Sequence, residues 1–166
     1  MKNISSIEYS GKQVAVNLRV AIIVSRFNEM VTHRLLDGAL DALKRHTTSD
    51  ETRADIFWVP GSFELPMVAR RIVRTNLYDA VVAIGCLIRG ETDHYDLLAK
   101  EVTKGLAQIA IKSIIPVSYG VVSADNLEQA LSRAGLKHGN KGADAMVTAI
   151  EAVNLYRQIA ELDKKP

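Results

Sequence analysis

The chain has 166 residues, 48% of them hydrophobic, with one cysteine and a formal net charge of +2. That length is one ordinary domain, able to bury roughly 70% of its unfolded-chain surface without a disulfide or metal staple. The small charge, with Lys164 and Lys165 as its longest basic cluster, argues against nucleic acid, which wants a concentrated basic stripe.

Residues 1–12 are polar with scattered apolar positions (Ile4, Ile7, Tyr9) and read as an extended arm ahead of a single domain over residues 13–166. Residues 18–24 are a β-branched apolar run, which predicts a buried strand. Val31, Leu35, Leu36, Ala39, Ala42 and Leu43 recur at helical spacing, as in an amphipathic helix. Residues 54–59 predict a second strand, stopped by Pro60-Gly61. Pro66 is placed to open a helix as its first residue, running to about residue 75. Residues 79–88 predict a third strand, and a long helix is expected over 92–112. Residues 115–122 predict a fourth strand. Asp125-Asn126-Leu127-Glu128 reads as a capping box before a short helix ended by Gly135. Ala143, Met146, Val147, Ile150 and Val153 mark a last helix.

Strands that alternate with helices and read as continuous apolar runs predict a parallel sheet covered on both faces. Right-handed crossovers make it a small doubly wound, flavodoxin-like α/β fold with four parallel strands. No apolar run approaches the roughly 20 residues that span a bilayer, so no membrane is expected. No signal-peptide-like apolar stretch follows the first Met, and the single Cys86 suits a reducing compartment. The cytoplasm is the expected location.

In such folds ligands bind outside the carboxyl ends of the strands. Four places follow: Ser25-Arg26-Phe27-Asn28, Pro60 to Pro66, Gly85 to His94, and the region of Tyr119 and Gly120. The third is the most informative. Gly90 lets backbone approach a ligand, and Glu91, Thr92 and Asp93 are expected to open the longest helix, whose free amides suit an anion. A plain capped helix start, with Thr92 as the cap, fits the same residues. His94, within a turn of that anion site, suits proton transfer, although a lone histidine is more often structural. Phe27 fits a flat ligand stacked at a strand end, or a core position. Glu64 fits substrate hydroxyls, or a first-turn acid favoured by the helix dipole. Arg133 fits a phosphate, or a cation suited to a helix end. Together these residues predict an enzyme for a small phosphorylated substrate.

Other constellations are weaker. His33 and Asp37 stand at i, i+4 without a third ligand, and His46 and His138 read as solvated. Cys86 reads as a small buried hydrophobe rather than a thiol paired with His94. No dinucleotide, P-loop or nucleophile-elbow motif is present, so neither cofactor nor metal is expected.

From residue 25 to residue 155 the chain resembles the lumazine synthases of riboflavin biosynthesis. The likeness is carried by Arg26-Phe27-Asn28, by Pro60-Gly61-Ser62-Phe63-Glu64-Leu65-Pro66, and by Gly85-Cys86-Leu87-Ile88-Arg89-Gly90-Glu91-Thr92-Asp93-His94-Tyr95. It continues in Glu128-Gln129-Ala130 through Arg133-Ala134-Gly135 to Gly139-Asn140-Lys141-Gly142. The resemblance implies condensation of 5-amino-6-(D-ribitylamino)uracil with 3,4-dihydroxy-2-butanone 4-phosphate to 6,7-dimethyl-8-ribityllumazine. It implies that Phe27 stacks on the pyrimidine, that Ser62, Phe63 and Glu64 hold ring and ribityl groups, and that Cys86, Leu87 and Ile88 bind the ring through backbone. Glu91 and Thr92 would hold the phosphate and His94 would move protons. Tyr119 and Arg133 would come from a neighbouring subunit, with Lys141 and Asp144 as supporting charges around Arg133.

The resemblance further implies pentamers. The short link over residues 135–142 favours a 60-subunit shell over a free pentamer, and riboflavin synthase is the partner such a shell suggests. Tyr119 stands where the family usually has Phe, Cys86 where Thr or Ala is common, and Asp93 adds a carboxylate beside Glu91. The rival expectation is a non-catalytic homologue that builds a cage or binds a phosphorylated metabolite.

Overall fold

The computed structural model describes residues 5–92 and 94–162. The apolar runs become four parallel strands: β1 (Arg19–Ser25), β2 (Arg53–Val59), β3 (Ala80–Ile88) and β4 (Val117–Ala124), in the order β2-β1-β3-β4. Between and after them run α1 (Glu29–His46), α2 (Leu65–Val73), α3 (His94–Lys112), α4 (Leu127–Ser132) and α5 (Lys141–Leu162). This is the expected doubly wound α/β arrangement.

Strand periodicity divides the core. Val20, Ile22 and Val24 of β1, with Val82, Ile84 and Cys86 of β3, pack under Leu35 and Ala39 of α1 and Met146 and Ile150 of α5. The intervening Ala21 and Ile23, with Val81, Ala83 and Leu87, pack under Leu65, Ala69 and Ile72 of α2 and Val102 and Leu106 of α3. Successive side chains of a strand point to opposite faces, so the interiors of β1 and β3, buried on both, are apolar on both. A side chain at Gly142 would come within 1.9 Å of the Leu35 carbonyl, and its absence lets the start of α5 press against α1.

The amino ends of the strands are closed by a polar network. Arg19 donates to Asp55 Oδ2 at 2.7 and 2.9 Å, and Tyr78 donates to the same oxygen at 2.8 Å. Hydrogen bonding from Arg19, then from Tyr78, holds the Asp55 carboxyl below its ordinary range. The carboxyl ends carry the loops expected to bind ligand.

Several boundaries differ from expectation. β4 starts at Val117, because Pro116 has no N–H to donate and offers only its carbonyl, to Val81 N. It extends to Ala124, since Ser123 and Ala124 still pair with Leu87 and Ile88. A short 3₁₀ turn, Ser62–Glu64, precedes α2, whose first residue is Leu65 and not Pro66. α3 begins at His94, so Glu91 and Thr92 lie before the helix rather than inside it; Asp93 lies outside the described residues. The cap of α4 is one residue later than the sequence suggested: Asn126 Oδ1 accepts from Gln129 N at 2.9 Å, and Gln129 Oε1 accepts from Asp125 N at 3.0 Å.

Of the arm, residues 5–9 are exposed, with Ile7 at 76%. Asn154 of α5 donates to the carbonyls of Lys12 and Val14, and Gln158 to that of Ser10. Ile4 lies outside the described residues.

Candidate active site

The loops after β1 and β2 are tied side by side at the top of the sheet. Arg26 N donates to Val59 O at 2.8 Å and Phe27 N to Pro60 O at 3.0 Å. Phe27 therefore projects from a fixed backbone while remaining 69% exposed, so it is a ring presented to solvent and not a core residue. Asn28 follows with φ 62, in the left-handed region, which asparagine tolerates better than most residues. Its side chain does not cap α1; Nδ2 donates to Cys86 O at 2.9 Å and links the first loop to the end of β3.

After β2, Glu64 Oε2 accepts from Gly61 N at 2.8 Å and closes the turn. This is a local structural use of Glu64; its Oε1 has no hydrogen-bond partner among the described residues. Phe63 is exposed and Ser62 is buried. The hydroxyls of Ser62 and of Ser25 at the end of β1 are buried without a hydrogen-bond partner among the described residues. Both face Gly85, where an added Cβ would lie 2.7 Å from Ser62 Oγ. A side chain at Gly85 would therefore have to displace Ser62 and Leu65 where β3 passes beneath the β2 loop.

The last β1 partner in β3 is Ile84, so Gly85 to Ile88 pair only with β4. Backbone of Cys86, Leu87 and Ile88 is thereby without a strand partner on the β1 side, apart from the bond from Asn28. Cys86 is buried in the layer beneath α1 and α5, and burial pushes its thiol up to about 12. A thiol so raised stays protonated at neutral pH and is a poor nucleophile. Glu91, Thr92 and His94 are exposed where the chain leaves β3 and enters α3.

Phe27, Ser62, Phe63, Glu64, Cys86, Leu87, Ile88, Glu91, Thr92 and His94 are thus distributed over the carboxyl ends of β1, β2 and β3. Tyr119 is not among them. It pairs with Ala83, five residues before Ile88, which is about 16 Å lower along the strand. Its hydroxyl lies 2.9 Å from Thr103 Oγ1 on α3. Placing Tyr119 at the ligand-binding end of its own sheet is corrected by this register. Arg133, at the end of α4, lines a concavity of about 610 Å³ at the carboxyl end of β4, with Ser123, Ala124, Gln129, Lys137 and His138. Lys141 and Asp144 pair with each other at 2.9 Å, and Lys141 N bonds the Arg133 carbonyl.

Three features escaped sequence reading. The Asn28–Cys86 bond joins residues 58 positions apart. Asn140 caps α5 through bonds from Gly142 N and Ala143 N while its Nδ2 donates to Arg34 O; its place before a helix was the only local signal. Arg89 contacts Asp96, Asp125 and Tyr95 together. His46 is half-buried, with Nδ1 against Gln13 O at 2.6 Å, rather than solvated. His33 lies beside Trp58, ring centroids 4.8 Å apart. Among the described residues no group of three His, Cys, Asp or Glu could hold a metal ion, and no helix is long and apolar enough to cross a membrane.

The sequence model of one family, described as 6,7-dimethyl-8-ribityllumazine synthase, matches residues 17–157. A protein of that name from Kosmotoga olearia is 50% identical over 151 residues, covering 91% of this chain and 96% of the relative. One from Chlorobium chlorochromatii is 50% identical, covering 92% and 97%. One from Chlorobium phaeobacteroides is 51% identical, covering 91% and 97%. The match spans all four strands and every loop at their carboxyl ends, and on that ground the chain belongs to the 6,7-dimethyl-8-ribityllumazine synthase family.

Proposed function

We propose that this chain catalyses the condensation of 5-amino-6-(D-ribitylamino)uracil with 3,4-dihydroxy-2-butanone 4-phosphate, giving 6,7-dimethyl-8-ribityllumazine, phosphate and two waters. The observation that carries this reading is the family match over residues 17–157. The gathering of Phe27, Glu64 and His94 at one end of the sheet supports it.

Phe27 offers an exposed ring on which the pyrimidine stacks. Backbone of Cys86, Leu87 and Ile88, free of a β1 partner, reads the ring edge. Glu64 Oε1 accepts from ribityl hydroxyls, while Oε2 stays on Gly61. Glu91 and Thr92, where the chain turns into α3, bring backbone to the phosphate.

The chemistry is imine formation from an aryl amine and a ketone with loss of water, then elimination of phosphate, then ring closure with loss of a second water. Elimination requires removal of a proton from carbon and a cation near the leaving group; His94 takes the first task and Arg133 the second. Holding two substrates in register supplies much of the acceleration, since aligned reactants reach effective molarities of ~10⁵ M or more.

The assembly follows the same reading. Tyr119 stands low on β4, away from the loops of its own chain, Arg133 lies in the concavity beside the end of β4, and the pentamer lets a neighbour present both. Within the described chain the 19-residue α3 buries only Val102 and Leu106, while Leu97, Ile111 and the following Ile114 remain exposed. Both outer strands, β2 and β4, leave an edge open, a liability that pairing with another chain removes. We place pentamers in a 60-subunit shell, which has room for riboflavin synthase, in the cytoplasm.

The test is incubation of the purified protein with both substrates while lumazine fluorescence is followed, with and without EDTA. Product forms in both. Its absence in a folded, assembled preparation would overturn the reading in favour of a cage or a metabolite-binding homologue. Activity lost to chelator and restored by a divalent ion would overturn the metal-free mechanism.

A further inference from the structure

Arg89 has no role in the site as described. It is the first residue beyond β3, and its amide still bonds the Ala124 carbonyl at 2.9 Å, so its backbone keeps the register of the sheet. From that anchor the guanidinium reaches across the turn. Nη1 and Nη2 donate to the two carboxylate oxygens of Asp96 at 2.8 and 3.0 Å. Nε donates to Asp125 Oδ1 at 3.2 Å. The guanidinium also lies 4.4 Å from the centroid of the Tyr95 ring. One side chain therefore joins the end of β3, the first turn of α3 and the junction between β4 and α4.

Between Arg89 and Asp96 lie Glu91, Thr92 and His94. All three are exposed, and no side-chain hydrogen bond or ion pair fixes them among the described residues. A side chain at Gly90 would meet nothing within 4 Å, so packing does not fix the turn there either. A bidentate arginine–carboxylate pair fixes direction as well as distance, which a lysine ammonium cannot do.

We infer that Arg89 is a positioning residue for the phosphorylated substrate: its fork on Asp96 sets the geometry of the turn at Glu91 and Thr92 relative to the sheet. This rests on the proposal that the phosphate binds at that turn. Direct attraction between Arg89 and the phosphate would give the opposite sign in one variant. If Arg89 bound phosphate itself, Asp96→Asn would free the cation and remove a competing negative charge, and phosphate would bind more tightly. If Arg89 acts through the turn, Asp96→Asn breaks the fork and phosphate binds more weakly.

The experiment compares the intact assembled protein with Arg89→Lys, Asp96→Asn and Asp125→Asn. Steady-state kinetics are measured with both substrates, and inorganic phosphate is titrated calorimetrically. Arg89→Lys and Asp96→Asn should each raise KM for the butanone phosphate, and Kd for inorganic phosphate, about tenfold, with the pyrimidine KM within about twofold of wild type. Asp125→Asn, which loses only the Nε contact, should shift both values less. Tighter phosphate binding by Asp96→Asn, or wild-type phosphate affinity in Arg89→Lys, overturns the inference. Light scattering checks assembly, and if Arg89→Lys does not assemble the sign seen with Asp96→Asn decides. Calorimetry needs no turnover: wild-type protein that binds phosphate without forming product sinks the proposed reaction alone. A wild-type protein that does not bind phosphate sinks the placement of phosphate at the turn and this inference with it.

Discussion

Asn28 Nδ2 donates to the Cys86 carbonyl at 2.9 Å across the top of the sheet. The donor sits on left-handed backbone, φ 62, so one residue both turns the chain into α1 and braces the end of β3. Two substitutions separate these contributions. Asn28→Gly keeps the backbone conformation and loses the bond, which should cost about 1 kcal/mol. Asn28→Ala loses the bond and places an ordinary side chain in the left-handed region, adding roughly 1–2 kcal/mol. Denaturant unfolding should rank wild type above Asn28→Gly above Asn28→Ala, and both variants should raise KM for the pyrimidine. Equal stability of the two variants would show that the backbone conformation contributes nothing.

Burial of Cys86 should make stability fall in alkali. Its ordinary thiol value is 9.0 and burial raises it to about 12. Above pH 9 the unfolded chain loses this proton while the folded chain keeps it, so the unfolded state binds fewer protons and stability falls as pH rises toward 12. Below the unfolded value the contribution is fully present and does not change. Cys86→Ala should flatten the fall in unfolding midpoint between about pH 9 and pH 12. The wild-type thiol should react with a disulfide reagent only after denaturation.

On the proposed reading, His94 serves proton transfer and not the holding together of the substrates. His94→Ala should lower kcat by no more than a few hundred-fold, roughly 3 kcal/mol, the range of general acid–base assistance. Single-turnover product formation by the variant measures this. Complete loss of turnover in a correctly assembled protein would assign His94 a larger task.

Arg133→Ala should raise KM for the butanone phosphate and leave the pyrimidine KM nearly unchanged. Loss of a charge-assisted contact costs roughly 1.5–3 kcal/mol. Equal losses for both substrates would contradict phosphate binding by Arg133.

With an 18.2 kDa chain, a pentamer has a mass of 5 × 18.2 = 91 kDa and a 60-subunit shell 60 × 18.2 = 1092 kDa. Light scattering should give the larger value. A stable, active monomer or dimer would refute an assembly in which a neighbour supplies Arg133 and Tyr119.

The sheet was legible because β1 and β3 are buried on both faces, and that condition writes itself as nearly continuous apolar runs within residues 18–24 and 79–88. The helices facing it were legible as spaced Leu, Val and Ala, and the carboxyl-end rule then pointed to Phe27, Glu64, Glu91 and His94 before any side chain was placed. The ends of elements were less legible, because they depend on which backbone groups find partners. Pro116 delayed β4, Ser123 and Ala124 joined it because Leu87 and Ile88 were opposite, and the cap of α4 moved to Asn126 because Gln129 could reach back. Tyr119 could be placed only by register, since nothing local says that it pairs with Ala83 and not with a residue nearer the site. The bonds from Asn28 to Cys86 and from Arg89 to Asp125 join positions 58 and 36 residues apart. Local sequence encodes which residues turn and which are buried; which turns meet is decided only when the strands are stacked side by side.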